Sequence, residues 1–443
     1  MPGESTLSLS DVAMGTAAVI NWAGVFEDLA AKVGTLSSSK VARWCLGISA
    51  AAAGAVAYYN YVLVIKPSRF PRRLKSTDAY KRAQSYPPPY PNGWYPLCNV
   101  EDVRPGTCKT VEALGRRFAV FRGKSGDLGV LDAVCPHNGA NLSSGIVVGE
   151  NLRCPFHFVE FGTDGACKHV PWLENQPSQK GSKGSLAAKA WHWEDFHGMV
   201  CIWFDAEDRE PLYKIPRVEG IDNGSMRYLG TWEADRPIEM HLAEFVENTV
   251  DVQHFTPMHG RLPLPWTDTR VPGFNVVFDS KVVFGYDAPE EVAKYGPAGN
   301  HLLYFLNSSY LVICGRHLPS TGASAQVQFI GPAGLIRFLF IIPDIGRIVL
   351  FQTHTPLNDN YGLSQRVCFR YFAERQVPRL MALAVVGEWI SNWWADVGVW
   401  EEKIKRNKPS LVRGDGPIQK SRVWLDQFYS ESSDKMLNRG LDW

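Results

Sequence analysis

The chain has 443 residues, 45% of them hydrophobic, with 46 basic against 45 acidic side chains and a net charge of +1. That length holds two domains with a sizeable core, and the near-neutral balance, with no basic stripe interleaved with aromatics, excludes nucleic acid as a partner. Nine scattered cysteines form no disulfide framework and point to a reducing compartment.

Residues 1–43 are small and polar and read as a lumenal N-terminal segment. Residues 44–65, WCLGISAAAAGAVAYYNYVLVI, contain no charged residue and are long enough to cross a bilayer. Tyr58, Tyr59 and Tyr61 sit near one end, where an interfacial aromatic belt would lie. Lys66, Arg69, Arg72, Arg73 and Lys75 follow, and the positive-inside rule puts their side in the cytosol. The expectation is a transmembrane helix in a single-pass protein of the endoplasmic reticulum membrane, with the catalytic part cytosolic; the competing reading is a buried Ala-rich core helix. Residues 66–93 are basic and then Pro-rich, and Pro87 to Pro89 predict a stiff extended linker.

Residues 94–205 break into short apolar runs separated by Gly turns, the pattern of a small all-β domain, with SQKGSKGS at 178–185 as a surface insertion. Inside it lies CPHNGANLSSGIVVGENLRCPFH, residues 135–157. Cys135 and His137 form a CxH pair, and Cys154 with His157 a CxxH pair. Two thiolates and two imidazoles suit either zinc or an iron–sulfur cluster. Zinc fingers usually keep like ligands together, whereas here each loop supplies one of each, which fits a cluster with two Cys on one iron and two His on the other.

Residues 206–443 change character. HLLYFLNSSYLVIC, QVQFIGPAGLIRFLFIIP and RIVLFQTHTP predict a broad antiparallel sheet, and helical periodicity at 240–255 and 381–406 flanks it. The class is α+β, a sheet gripping helices over an apolar pocket. In EFVENTVDVQHFTPMHG, residues 244–260, the spacing puts Glu247, Asp251 and His254 on one helical face, with Pro257 ending the helix before His259. Two neutral imidazoles and a carboxylate make the facial triad of non-haem Fe(II). Asp396 is the candidate carboxylate, because it shares a stripe with Trp389, Trp393 and Trp400, and a buried acid is costly unless paired or metal-bound. Glu401, four residues before Lys405, reads as half of a solvated ion pair. The remaining histidines, among them His197, His241 and His354, lack ligand-type spacing.

Together these residues resemble the Rieske non-haem iron oxygenases over roughly residues 90–430. The resemblance implies that Cys135, His137, Cys154 and His157 hold a [2Fe-2S] Rieske cluster and that His254, His259 and Asp396 hold a mononuclear Fe(II). It assigns Asp251 the catalytic role of contacting His157 of a neighbouring subunit and bridging the two metals, which implies a homotrimer. No dinucleotide fingerprint is present, so NAD(P)H would act through a separate ferredoxin or flavin reductase. Within the family, IEMHLAEFVENTVDVQHF and ADVGVWEEKIKRNKPSLVRGDGPI are similar to the Neverland group of cholesterol 7-desaturases, and the second also to bacterial ketosteroid hydroxylases. A sterol substrate, cholesterol, and conversion to 7-dehydrocholesterol for steroid hormone synthesis are the implied function; sterol or lipid hydroxylation is the alternative. Two positions depart from the family pattern: Phe158 stands where Gly is usual, and Val159 where Trp is common. A membrane-tethered Rieske electron carrier is the rival of another class. It would carry an extra cysteine in each loop, where this chain has Ala140 and Phe156.

Overall fold

The computed structural model describes residues 76–173, 186–286, 299–357 and 360–433, all within one of the two compact units into which the chain divides, Arg69–Trp443. The expected membrane span at 44–65, the segment before it and the insertion at 178–185 lie outside the described residues. Among those described, no helix is long and apolar enough to cross a membrane.

The first β domain is built from small antiparallel sheets. Cys108–Ala113, Arg116–Arg122 and Leu128–Asp132 form one; Ile146–Val148, Asn151–Arg153, Glu160–Phe161 and Cys167–His169 form another. In the central strand of the first, Phe118 and Val120 face one core and Ala119 and Phe121 the other, so both faces are buried and the run reads as continuously apolar. Gly93–Asn99 pairs with Met199–Phe204, which pairs with Trp193–Phe196, so the two ends of this domain are neighbours in one sheet. Through Trp94, Met199 and Trp203 that sheet packs on Val349, Phe351 and Phe372 of the second domain.

The second domain is a nine-stranded antiparallel sheet. Its spatial order is Met226–Glu233, Ser364–Glu374, Gly346–Pro356, Leu335–Ile342, Arg316–Ile330, Leu302–Ile313, Arg270–Phe284 and Arg261–Pro263, with Ile238–Glu239 also pairing on Ser364–Glu374. Five helices accompany the sheets among the described residues: α1 (Ser76–Ala83), α2 (Glu219–Asp222), α3 (Leu242–Val250), α4 (Arg379–Trp400) and α5 (Ile418–Asp426). Helix α4 starts after Pro378 and runs 22 residues. Ala382, Val386, Ile390, Trp393, Val397 and Trp400, at helical spacing, enter the core that Phe329, Phe338 and Phe369 build from the sheet. Each of those three phenylalanines is fully buried, which contributes about 2–3 kcal/mol apiece.

Two expectations are corrected here. The helix at 240–255 ends at Val250, because Asp251 leaves helical geometry and its carboxylate accepts from the Gln253 N–H at 3.1 Å, starting a separate 3-10 turn. The stretch at 66–93 is not a free linker over its described part: residues 76–93 form a docked strap. Arg82 is only 2% exposed and donates to the carbonyls of Lys403 (2.8 Å), Glu239 (2.8 Å) and Trp400. The Tyr86 hydroxyl donates to Glu244 at 2.5 Å, and Tyr90 lies in the main core.

Candidate metal centres

Cys135 and His137 lie on the turn after Leu128–Asp132, and Cys154 and His157 on the turn after Asn151–Arg153. The two turns repeat one hydrogen-bond scheme. Cys135 N–H donates to Ala140 O (2.8 Å) and Gly139 N–H to Cys135 O (2.9 Å); Cys154 N–H donates to Val159 O (2.8 Å) and Phe158 N–H to Cys154 O (3.1 Å). In the scheme Gly139 takes φ +72 and Phe158 φ +60, both left-handed. Glycine does so freely, whereas a non-glycine residue pays about 1–2 kcal/mol. The position where the family pattern has glycine is thus one whose backbone favours glycine, and Phe158 occupies it with strain. Val159 is fully buried beneath the turn.

Both thiols are free and buried. Burial and the adjacent Cys154 push the Cys135 thiol up to about 11; a metal would supply the positive charge its thiolate needs. The imidazoles lie toward the surface, His137 exposed and His157 half-buried, with ring centres 4.7 Å apart and nearly perpendicular. Trp172, which the sequence reading missed, stands 5.4 Å from His137 and 6.3 Å from His157. Buried sulfurs and outward nitrogens fit the two halves of a [2Fe-2S] cluster with mixed ligands.

The second group forms where α3 ends. After the 3-10 turn at Val252–His254 the chain makes a π turn, Phe255–His259, a local widening common at functional sites. It brings two histidines five residues apart to one place. Phe255 anchors the turn to the sheet, 5.1 Å from Phe305 and 5.4 Å from Phe278. Across from it α4 presents Asp396, 7% exposed. Ligand atoms of His254, His259 and Asp396 all lie within 4.8 Å of one another. His259 Nε2 is 3.1 Å from Asp396 Oδ1, and the two imidazoles stand 5.1 Å apart, nearly perpendicular.

His254 Nδ1 lies against the Asp251 carbonyl. A carbonyl only accepts, so Nδ1 carries the proton and Nε2 is left as the ligand atom. Burial lowers the pKa of His254, with Asp396 opposing, which favours the neutral imidazole a metal needs. Asn248 is the other residue the sequence reading missed: its Nδ2 is 3.2 Å from His254 Nε2 and 3.2 Å from Asp396 Oδ2. Two imidazoles, one buried carboxylate and an amide that holds the carboxylate fit a divalent iron with open coordination positions.

Other sequence-predicted residues go elsewhere. Asp251 is outside the ligand group and half-exposed; it serves His254 through its carbonyl and caps Gln253 with its carboxylate. Glu247 does not share a face with His254; it is buried and held by Arg422 (2.8 and 3.0 Å) and Lys405. Glu401 is no solvated partner of Lys405. It is 5% exposed, takes Arg236 bidentately at 2.5 and 2.7 Å and accepts from Glu239 N–H at 3.0 Å. His241 accepts from Ala243 N–H at 3.0 Å and caps α3. Burial lowers both His241 and His354 to about 3.

Residues 93–180 match the family model of the Rieske [2Fe-2S] domain, and residues 202–429 that of the 3-ketosteroid 9alpha-hydroxylase C-terminal domain. The chain belongs to the Rieske non-haem iron oxygenases. Such an oxygenase is an oxidoreductase that couples a Rieske cluster to a mononuclear iron and draws electrons from NAD(P)H through a separate reductase. This Rieske oxygenase is 31% identical to the cholesterol 7-desaturase of Xenopus laevis over 390 residues, 85% of this chain and 81% of the relative. It is 26% identical to the oxygenase component of the 3-ketosteroid-9-alpha-monooxygenase of Rhodococcus rhodochrous, covering 79% and 86%. Among solved structures, a caffeine-bound mutant of Pseudomonas putida NdmA superposes with a TM-score of 0.52 at 17% identity, covering 83% of this chain and 97% of that one, a likeness of fold.

Proposed function

We propose that this oxygenase is a cholesterol 7-desaturase, removing one hydrogen each from C7 and C8 to give 7-dehydrocholesterol. The observation that carries the reading is identity of 31% to a cholesterol 7-desaturase across 85% of the chain, joined to a complete group of His254, His259 and Asp396. In this reading those three residues hold the iron, and Cys135, His137, Cys154 and His157 hold the cluster. The iron supplies a site for dioxygen and the cluster an electron on demand. The balance is one sterol, one dioxygen, two electrons and two protons giving one alkene and two waters.

The chain's own residues set the conditions. The Asp251 carbonyl keeps the proton of His254 on Nδ1, and Asn248 holds the Asp396 carboxylate toward the histidines. Phe255 packs beside both histidines and is backed by Phe278 and Phe305, an apolar wall. Asp251 would meet His157 of a neighbouring copy in a homotrimer, and its half-exposed position is compatible with that contact. The uncharged segment 44–65 and the basic residues after it support a tether to the endoplasmic reticulum membrane with the catalytic part cytosolic. Hydroxylation is the second reading, favoured by the family to which residues 202–429 match. Product mass after aerobic incubation with cholesterol, NADPH and a reductase separates the two: the desaturase yields a sterol lighter by two hydrogens, whereas a product heavier by one oxygen refutes it.

A further inference from the structure

The strap at residues 76–93 grips the two helices that meet at the candidate iron centre, and it grips each of them one turn away from a residue of that centre. Glu244 lies in the first turn of α3, and Asn248 follows it at i+4 on the same face. The Glu244 carboxylate accepts from the Tyr86 hydroxyl at 2.5 Å. Trp400 is the last residue of α4, and Asp396 precedes it by four. The Trp400 carbonyl accepts from the Arg82 guanidinium. At the centre itself Asn248 Nδ2 joins the two helices directly, donating to Asp396 Oδ2 at 3.2 Å.

One side chain spans both elements. Arg82, buried at 2% exposure, places Nη2 on Trp400 O, Nε on Lys403 O at 2.8 Å and Nη1 on Glu239 O at 2.8 Å; Glu239 lies three residues before α3 begins. A single rigid fork thus fixes the exit of α4 against the entry to α3. Carbonyls at the end of a helix lack partners within it, and a cation there is favourable. Tyr86 adds a second tie, stacked on His241 with ring centres 5.1 Å apart and planes 21° apart. His241 Nδ1 accepts from Ala243 N–H, so Nε2 carries the proton and donates to Pro88 O at 3.2 Å. Each of these strap contacts lands on α3, on α4 or on the residues that flank them.

We propose that Arg82 is a positioning residue for the iron centre: by clamping the α4 exit to the α3 entry it sets the spacing at which Asn248 reaches Asp396, and so the presentation of the Asp396 carboxylate to the metal. This rests on the reading of His254, His259 and Asp396 as the iron ligands and adds to it a residue far from them in sequence. Without the guanidinium three carbonyls lose a buried donor, the last turn of α4 loosens, and the clamped arrangement becomes one of several. Iron binds only the fraction of molecules that hold the clamped form, so its apparent affinity falls by that fraction. The cluster turns keep their own hydrogen bonds and take none from Arg82, so the cluster is unaffected.

The test is a double-mutant cycle on iron affinity in the full-length protein, combining R82M with N248A and read by competition with a chelator. R82M, which keeps the length of the side chain without its donors, should weaken iron binding about tenfold while the Rieske EPR signal stays at the wild-type level. Lysine offers a point charge and no fork, so R82K should fall between wild type and R82M, and it completes the cycle if R82M does not fold. Adding R82M to N248A should cost less than about threefold further, because the contact through which Arg82 acts is already gone. F121L, which loses packing in the core of the first β domain, should lower the melting temperature without changing iron affinity. Equal cost of R82M in both backgrounds, wild-type iron affinity in R82M, or a matching fall in F121L overturns the positioning role alone. A wild type that binds no iron beyond the cluster overturns the ligand reading and the inference with it.

Discussion

Phe158 offers a backbone prediction whose sign differs from the ordinary one. Its φ of +60 belongs to the cluster turn, and its ring is 56% exposed. Less than half the ring is out of water, so its burial contributes roughly 1 kcal/mol, while the left-handed backbone costs about 1–2 kcal/mol for any side chain but glycine. F158A loses the ring and keeps the strain, so it should be about 1 kcal/mol less stable than the wild type. F158G loses both ring and strain at a cost of ~0.4–1 kcal/mol in unfolded-chain freedom. It should therefore exceed F158A by about 0.5–1 kcal/mol, up to a fivefold shift in the unfolding equilibrium. Urea unfolding followed by cluster absorbance under anaerobic conditions measures both. A result in which F158A equals or exceeds F158G would refute the assignment of strain to this turn.

Asn248→Ala removes the amide that holds the Asp396 carboxylate; iron affinity at this site should fall about 10- to 100-fold, read by competition with a chelator, while the cluster spectrum stays unchanged. Glu401→Gln breaks a buried bidentate pair with Arg236; with the Arg236 side chain 33% exposed, the loss of stability should lie near about 2–3 kcal/mol, below the full cost of a wholly buried pair. Burial raises the carboxyl pKa of Glu247, but Arg422, Lys405 and Lys403 more than offset it and hold it below the usual range. A depressed folded pKa gives stability that is present above the unfolded value near 4.5 and is lost as pH falls through the folded one. Glu247→Gln should therefore be less stable than wild type at neutral pH, with the difference shrinking on acidification; a constant difference across that range contradicts the ion-pair account.

Both candidate centres were legible for the same reason: their ligands come in short local spacings. CxH and CxxH place Cys135, His137, Cys154 and His157 on two turns, and the five-residue step from His254 to His259 is local too. Asp396 was legible because a carboxylate among Trp389, Trp393 and Trp400 at helical spacing has to face the core. What escaped depends on distant partners or on competition at one residue. Glu401 pairs with Arg236, 165 positions away, so the nearby Lys405 misled. The strap at 76–93 reads locally as polar and Pro-rich, yet Arg82 is buried by contacts up to 321 residues distant. Helical periodicity runs on past Val250, but the Asp251 side chain captures the Gln253 N–H and breaks the helix, which frees the following residues to form the π turn.

The most direct test of the account is iron content together with oxygen-dependent sterol turnover in Asp396→Ala, purified beside the wild type. The account predicts that the variant keeps the Rieske EPR signal, loses the iron that is not in the cluster, and makes no product from cholesterol. Retention of that iron and of turnover in Asp396→Ala would contradict the assignment of His254, His259 and Asp396 as the catalytic centre.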